Sequence, residues 1–225
     1  MKIIRIEQTT STMDYVRKFI KKGKNLLVVA KSQTCGRGTK NREFSSNNGG
    51  IYLSRLEFYD NLLAKNSFSI IRSVSVAVVK TLLAFNVKAQ IKWPNDILVN
   101  GKKICGILTE NQLDGEKVCY SIVGIGLNVE NQIPTHLEDV AISMKQILGS
   151  VNFEAVLMTL IFNLSAPEEV GLYNRYSCVL GKEVTIISGE REFAETVVDI
   201  LDDGRILLSN GEKLSAGEIK LNVNN

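Results

Sequence analysis

Three strand-like stretches joined by two tight turns constrain this chain more than anything else in it. Residues 97–99 run into Asn100-Gly101 and then into residues 102–110, and Asp114-Gly115 separates these from residues 117–129. Asn-Gly favours the type I′ turn, whose backbone twist matches that of two paired strands. A hairpin is therefore expected over 97–110, with the chain turning back again at Asp114-Gly115. The last stretch holds Gly124-Ile125-Gly126-Leu127-Asn128. Glycine inside a strand marks either a bulge or the close approach of another group, and both readings stand here.

Around this meander the periodicities are mixed. A short strand over 3–6 precedes Ser11-Thr12-Met13-Asp14, where Ser11 with Asp14 three residues on has the form of a helix N-cap. Met13, Val16 and Ile20 then mark a helical face that Gly23 ends. Strands are expected over 26–30, 51–58 and 87–93, the last leading into the turn Pro94-Asn95-Asp96. A helix over 66–85 sets Ile70, Val74, Ala77, Val78 and Leu82 on one side and its serines on the others, the pattern of a helix packed on a sheet. Two more helices are expected near 137–148 and 153–176. From Lys182 the composition shifts to short strands with turns at Ser188-Gly189, Asp203-Gly204 and Asn210-Gly211, closing on Gly217-Glu218-Ile219. About 45 residues of this kind suit a small appended β-barrel. The expected fold is α+β: a mixed sheet with packed helices over residues 1–178, then a small β-barrel over 179–225.

The chemistry-bearing stretch is Gln33-Thr34-Cys35-Gly36-Arg37-Gly38-Thr39-Lys40-Asn41-Arg42, followed by a polar, glycine-rich segment over 45–50. Glycines let backbone N–H groups turn toward an anion, and arginines supply planar forks of donors for phosphate or carboxylate. Neither common phosphate signature is present, because the Gly-x-Gly-x-x-Gly spacing fails and no Gly-Lys-Ser/Thr follows. A loop closing over an anion and a merely solvated basic loop both remain open on these residues.

Composition removes several classes. The 225 residues suffice for one large domain, or one with a small companion. A net charge of +3 is too weak and dispersed to argue for nucleic acid. Cys35, Cys105, Cys119 and Cys178 lie far apart with no Cys-x-x-Cys, which reads as reduced thiols in a cytosolic protein rather than a zinc site or disulfide framework. The N-terminus lacks a signal-peptide core, and no run approaches the ~20 apolar residues of a membrane span, so a cytoplasmic location is expected. The single histidine, His136, follows Pro134-Thr135 with nothing resembling a nucleophile elbow nearby. Chemistry here is expected to rest on charge stabilisation and positioning rather than a covalent protein intermediate.

Four motifs then fall in order: Gly36-Arg37-Gly38-x-x-x-Arg42, Lys92-Trp93-Pro94-Asn95-Asp96, Lys103-x-x-Gly106-Ile107-Leu108 and Gly124-x-Gly126-Leu127-Asn128. Together they resemble the catalytic domain of biotin protein ligases, a class II synthetase-like fold, and the tail is similar to that family's SH3-like barrel. The resemblance implies a ligase that uses ATP to convert biotin to biotinyl-5′-adenylate and then passes it to one lysine of a biotin carboxyl carrier domain of a carboxylase. It implies Lys103, Arg37 and Asp96 as catalytic residues, Lys103 on the reacting carboxylate and α-phosphate and Asp96 orienting the incoming lysine. The biotin side would comprise Ser11, Thr12, Met13, Gln33, Gly36, Arg37, Gly38, Thr39, Lys103, Gly106 and Gly124. The nucleotide side would comprise Arg37, Thr39, Arg42, Phe44, Asn95, Lys103, Asn128, Ala141 and Ser143. Mg²⁺ is expected with ATP, and no side-chain cluster forms a metal site. A homodimer paired through sheet edges is one expected assembly.

Three departures from the family pattern stand out. Met13 replaces the usual asparagine, Thr39 stands where arginine is common, and Phe44 where tryptophan is common. Thr39 puts tight retention of the adenylate in doubt, with Lys40 next door as the expected compensation. Only ten residues precede Ser11, which leaves no room for the winged-helix domain of repressor relatives, so no DNA partner is expected. A lipoate-type ligase, a non-enzymatic biotin-binding module and a DNA-binding regulator are the rival readings. Incubation with ATP, labelled biotin and a carrier domain separates them.

Overall fold

The computed structural model describes residues 1–39, 42–169, 171–215 and 217–221. Seven strands form the main sheet in the order β1-β2-β3-β7-β6-β5-β4. They are β1 (Lys2–Thr9), β2 (Leu26–Gln33), β3 (Ile51–Phe58), β4 (Gln90–Lys92), β5 (Asp96–Val99), β6 (Lys102–Asp114) and β7 (Lys117–Leu127). β1 runs parallel to β2 and every other neighbouring pair is antiparallel, so the sheet is mixed as expected. Asn100 and Gly101 take φ of 52° and 76°, the both-positive pair that the Asn-Gly hairpin requires.

The two sheet faces are covered differently. On one lies the short helix α1 (Thr12–Arg17), where Met13 and Val16 pack on Leu26, Val28, Leu56 and Ile122. On the other lie α2 (Phe68–Ala84) and α4 (Phe153–Leu164), over the larger core. The expected apolar stripe of α2 is buried in full, but so is Ser75, whose hydroxyl has no partner. The expectation that the serines avoid the core fails there because α2 is sandwiched between the sheet and α4. Thr81 marks the second contact, accepting from Asn163 of α4 at 3.0 Å. With its preceding 3₁₀ turn, Ala64–Ala84 is long and apolar enough to cross a membrane, contrary to the expectation that no run is. More than half of it is buried inside the protein, which accounts for its apolarity as that of a core helix.

Two helix expectations change. The stretch 153–176 is broken between α4 and α5 (Leu172–Tyr176). Pro167 cannot donate within a helix, and Gly171 adopts φ 84°. In 137–148 only α3 (Met144–Leu148) is helical, started by a Ser143–Gln146 capping box. The residues before it are captured by β6 instead: Lys103 N–H donates to Val140 O at 2.8 Å and Ile142 N–H to Lys103 O at 3.0 Å.

The remaining strands are β8 (Glu183–Ser188), β9 (Arg191–Ile200), β10 (Ile206–Leu208), β11 (Lys213–Leu214) and β12 (Glu218–Leu221). They form a five-stranded antiparallel sheet in the order β11-β10-β9-β8-β12. Gly189, Gly204 and Gly211 have positive φ at the three expected turns. The two sheets share one apolar core, and Trp93 Nε1 ties them by donating to Gly204 O at 2.8 Å.

Candidate active site

The site grows from the place where α1, the end of β2 and the middle of β3 meet. Ser11 occupies the N-cap position of α1 in an extended conformation, yet its side chain makes no capping bond. It is buried and lines a cavity instead. Thr12, also buried, donates from its backbone N–H and its hydroxyl to Gln33 Oε1 at 2.7 and 2.9 Å. Met13 turns to the apolar side and fills space above β7.

Beyond Gln33 the glycine-rich loop doubles back on itself. Phe44 N–H donates to Gly36 O at 2.8 Å and Gly38 N–H to Arg42 O at 2.7 Å, with Arg37 bridged to Glu43. Lys40, the expected compensation for Thr39, lies outside the described residues. Gly36 is buried, and a Cβ there would collide with the Ser46 hydroxyl and the Phe44 carbonyl.

The strand glycines resolve in the same way. β7 pairs regularly through Gly124 and Gly126, and its ladder with β6 slips only near Gln112 and Leu113. The bulge reading is therefore excluded in favour of close approach. A Cβ on Gly124 would sit 2.8 Å from Met13 Sδ, and one on Gly126 would strike the Phe44 ring. On β6, a Cβ on Gly106 would lie 2.9 Å from Lys103 Cε and 3.3 Å from Phe44 Cε2.

Charge gathers around this trench. Lys103 Nζ pairs with Asp96 Oδ1 at 2.6 Å and lies 5.8 Å from the Phe44 ring centre. Arg37 pairs with Asp14 at 2.6 Å, and Asp14 also reaches Arg17 at 3.4 Å. Arg42 pairs with Glu218 of β12, a hydrogen-bonded carboxylate that pushes the arginine's pKa up. Burial pushes the neighbouring Cys105 thiol up as well, so it takes no part as a thiolate. Among the described residues no group of three or more His, Cys, Asp or Glu could hold a metal ion.

Two cavities flank Lys103 and Phe44. The first encloses about 40 Å³ and is lined by Ser11, Thr12, Met13, Gln33, Arg37, Gly38, Thr39, Phe44, Asn95, Lys103, Gly106 and Gly124, among others. The second, about 510 Å³, is lined by Arg42, Phe44, Asp96, Lys103, Asn128 and Ala141, and also by Lys92, Asn131, Leu137, Glu218 and Leu221. Asn95 thus faces the first cavity, with its side-chain amide donating to Ile107 O at 2.5 Å. Gly36 and Ser143 lie outside both linings, Gly36 beneath the loop and Ser143 capping α3.

Sequence reasoning missed Ser46, Ser54, Asp14 and Glu218. A buried serine in a strand or loop carries no periodic signal, and Glu218 arrives from 176 residues away along the chain. Chemically, the arrangement offers the cations Lys103, Arg37 and Arg42 to an anion, with one carboxylate, Asp96, against the central lysine.

Residues 5–128 match the Biotin/lipoate A/B protein ligase family. The chain is 33% identical over 215 residues to the Bifunctional ligase/repressor BirA of Bacillus subtilis, covering 87% of this chain and 66% of that protein. It is 31% identical over 111 residues to the Biotin--[acetyl-CoA-carboxylase] ligase of Paracoccus denitrificans, covering 45% of this chain and 43% of that protein. It spans less than two thirds of the length of the BirA proteins of Bacillus subtilis and Bacillus spizizenii, 66% and 39%. Among solved structures, the biotin protein ligase of Aquifex aeolicus in complex with biotin and ATP superposes with a TM-score of 0.75 at 27% identity, covering 97% of each chain. The Leishmania major biotin protein ligase in complex with biotinyl-5-AMP gives 0.63 at 26% identity, covering 96% of this chain and 99% of that one. With its matched segment running through the glycine loop, Lys103 and both strand glycines, the chain belongs to the biotin/lipoate A/B protein ligase family.

Proposed function

We propose that the protein is an ATP-dependent biotin ligase that makes biotinyl-5′-AMP and transfers the biotinyl group to a lysine of a biotin carboxyl carrier domain. One observation carries this reading: Lys103, held by Asp96 at 2.6 Å, is a wall of both cavities. A carboxylate entering from the first cavity and an α-phosphate entering from the second meet at its ammonium.

In the first step a biotin carboxylate oxygen bonds to the α-phosphorus as the bond to the β-phosphate oxygen breaks, and pyrophosphate leaves. The barrier is dominated by the approach of two anions, which Lys103 and Arg37 offset electrostatically. In the second step the lysine nitrogen attacks the anhydride carbonyl, AMP leaves with the bonding pair, and the nitrogen loses a proton. A free lysine has a pKa of ~10.4, so it must be held and deprotonated, the role assigned to Asp96. Mg²⁺ would arrive with the triphosphate and neutralise part of its charge; Asp96 is the carboxylate facing the second cavity beside Lys103, and the donor set suits an ion held mainly by phosphates.

In this reading Ser11, Thr12, Met13, Gln33 and Gly124 form the biotin side, and Arg42, Asn128 and Ala141 the nucleotide side. Residues 1–178 act as the catalytic domain, and the small β unit over 179–225 closes the nucleotide side through Glu218. Its work belongs in the cytoplasm, where four unpaired cysteines are at home. Purified protein with ATP, labelled biotin and a carrier domain should release pyrophosphate and label one carrier lysine. Biotin-independent pyrophosphate release, or labelling with lipoate alone, would remove the proposal.

A further inference from the structure

A directed chain of hydrogen bonds bounds the polar end of the first cavity and passes through two buried serines that none of the motifs contains. Ser54 Oγ of β3 donates to Thr12 Oγ1 at 2.7 Å. Thr12 donates to Gln33 Oε1 from its hydroxyl at 2.9 Å and its backbone N–H at 2.7 Å. Gln33 Nε2 donates to Ser46 Oγ at 2.9 Å, and Ser46 Oγ donates to Phe44 O at 2.9 Å. A carbonyl can only accept and an N–H can only donate, so the direction of the whole chain is set.

Two of its joints hold the Gln33 side chain. The Thr12 N–H fixes the amide oxygen, and Ser46 fixes the amide nitrogen. Ser46 also accepts the Gln33 backbone N–H on its own carbonyl at 3.1 Å, so the two residues grip each other twice. An amide nitrogen carries two hydrogens and Ser46 takes one, leaving one N–H of Gln33 for a ligand. Ser46 is buried, and Gly36 leaves the space its hydroxyl occupies. It sits on the same loop as Phe44 and Arg37, so the loop's closure and the setting of Gln33 are one event.

We propose that Ser46 is a positioning residue that acts through Gln33 to present a fixed donor to a ligand carbonyl flanked by N–H groups, the urea or cyclic-amide class. This rests on the biotin reading above and adds a residue to it. A dithiolane head offers no such carbonyl, so Ser46 should contribute to choosing between the two head groups.

Equilibrium biotin binding and steady-state kinetics on Ser46→Ala, Gln33→Ala and the double variant test it. Loss of the Ser46 hydroxyl should raise the Kd and KM for biotin about tenfold, leaving kcat and the KM for ATP within about twofold. In the Gln33→Ala background, Ser46→Ala should cost nothing further, since its route is gone. Should Ser46→Ala melt below the assay temperature, Ser46→Cys, which keeps the volume but accepts a hydrogen bond poorly, is held to the same criteria. Unchanged biotin affinity, or losses that simply add, would overturn the proposal while the wild type still binds biotin. Wild-type protein that binds no biotin would overturn this inference and the biotin reading together.

Discussion

The two cavities share Lys103 and Phe44 but are built on opposite plans. The first is nearly filled, about 40 Å³, and its polar end is a closed chain of side-chain hydrogen bonds. The second is open at about 510 Å³, and its walls come from the loop, β5, the stretch after β7, and β12 of the other sheet. Fixed donors suit a small rigid head group, whereas a long polyanion suits movable cations such as Arg42, whose present partner is Glu218. Phe44 lines both cavities, its ring lying over Gly106 and Gly126. The aromatic ring is therefore the partition the two plans share.

The strongest way to break that comparison is to remove the group both cavities share. Lys103→Ala should lower adenylate formation by about 10²–10³ while the fold persists. Biotin-dependent pyrophosphate exchange measures it, and a wild-type rate in the variant would strip Lys103 of this role. A smaller effect is expected from Asp96→Asn. Adenylate should still form, but transfer to the carrier should fall by roughly tenfold, the scale of one charged hydrogen bond, with partial recovery as pH is raised. The 2.6 Å contact with Lys103 gives an alternative outcome its meaning. Equal loss in both steps would show that Asp96 acts by holding Lys103 rather than by receiving the incoming lysine.

The same contrast explains what was legible in the sequence. The meander, the Asn100-Gly101 turn and the core stripe of α2 follow from local turn chemistry and periodicity, which one stretch of chain suffices to reveal. Gly124 and Gly126 showed that something approaches the sheet, but whether as a bulge or a contact needed Met13 and Phe44 in place. The first cavity was nearly complete in the motifs because its residues recur at short spacings along β2, the loop, β6 and β7. The second was less complete: Ala141, implied by the family resemblance, reaches it because β6 captures an expected helix as an extended segment, whereas Glu218 was missed because it comes from the small sheet docked beside the loop. Ser46 and Ser54 gave no signal, since a buried serine looks like a surface one until its partners are known.

Thr39 offers a milder test of how the first cavity retains its contents. It is exposed at the cavity rim with no cation at that position. Thr39→Arg adds a planar donor that can reach phosphate, so the adenylate should dissociate several-fold more slowly. The dissociation time of labelled adenylate reads this directly, and an unchanged time would show that Arg37 and the loop backbone already set retention.

The smallest effect expected is a difference in thiol reactivity between the two plans. Cys35 lies exposed in the loop that closes the first cavity, while Cys105 is fully buried on β6, two residues from Lys103. Thiolate is the reactive form, and burial pushes the Cys105 pKa well above the ordinary thiol range, so this group is both inaccessible and protonated. Mild alkylation should therefore modify Cys35 first and leave Cys105 intact until the protein unfolds. The backbone of Cys35 is already fixed to the residue that follows β1, with its N–H donating to Thr10 O at 2.8 Å, so its labelling reports the loop rather than a loose end. Adding biotin and ATP should slow Cys35 labelling by a few-fold as the loop is held closed, with Cys105 unaffected. Peptide mapping by mass spectrometry separates the two sites. Labelling of Cys105 at a rate comparable to Cys35 would mean that the sheet beneath Lys103 opens as readily as the loop, and the contrast between a fixed floor and a movable cover would be lost.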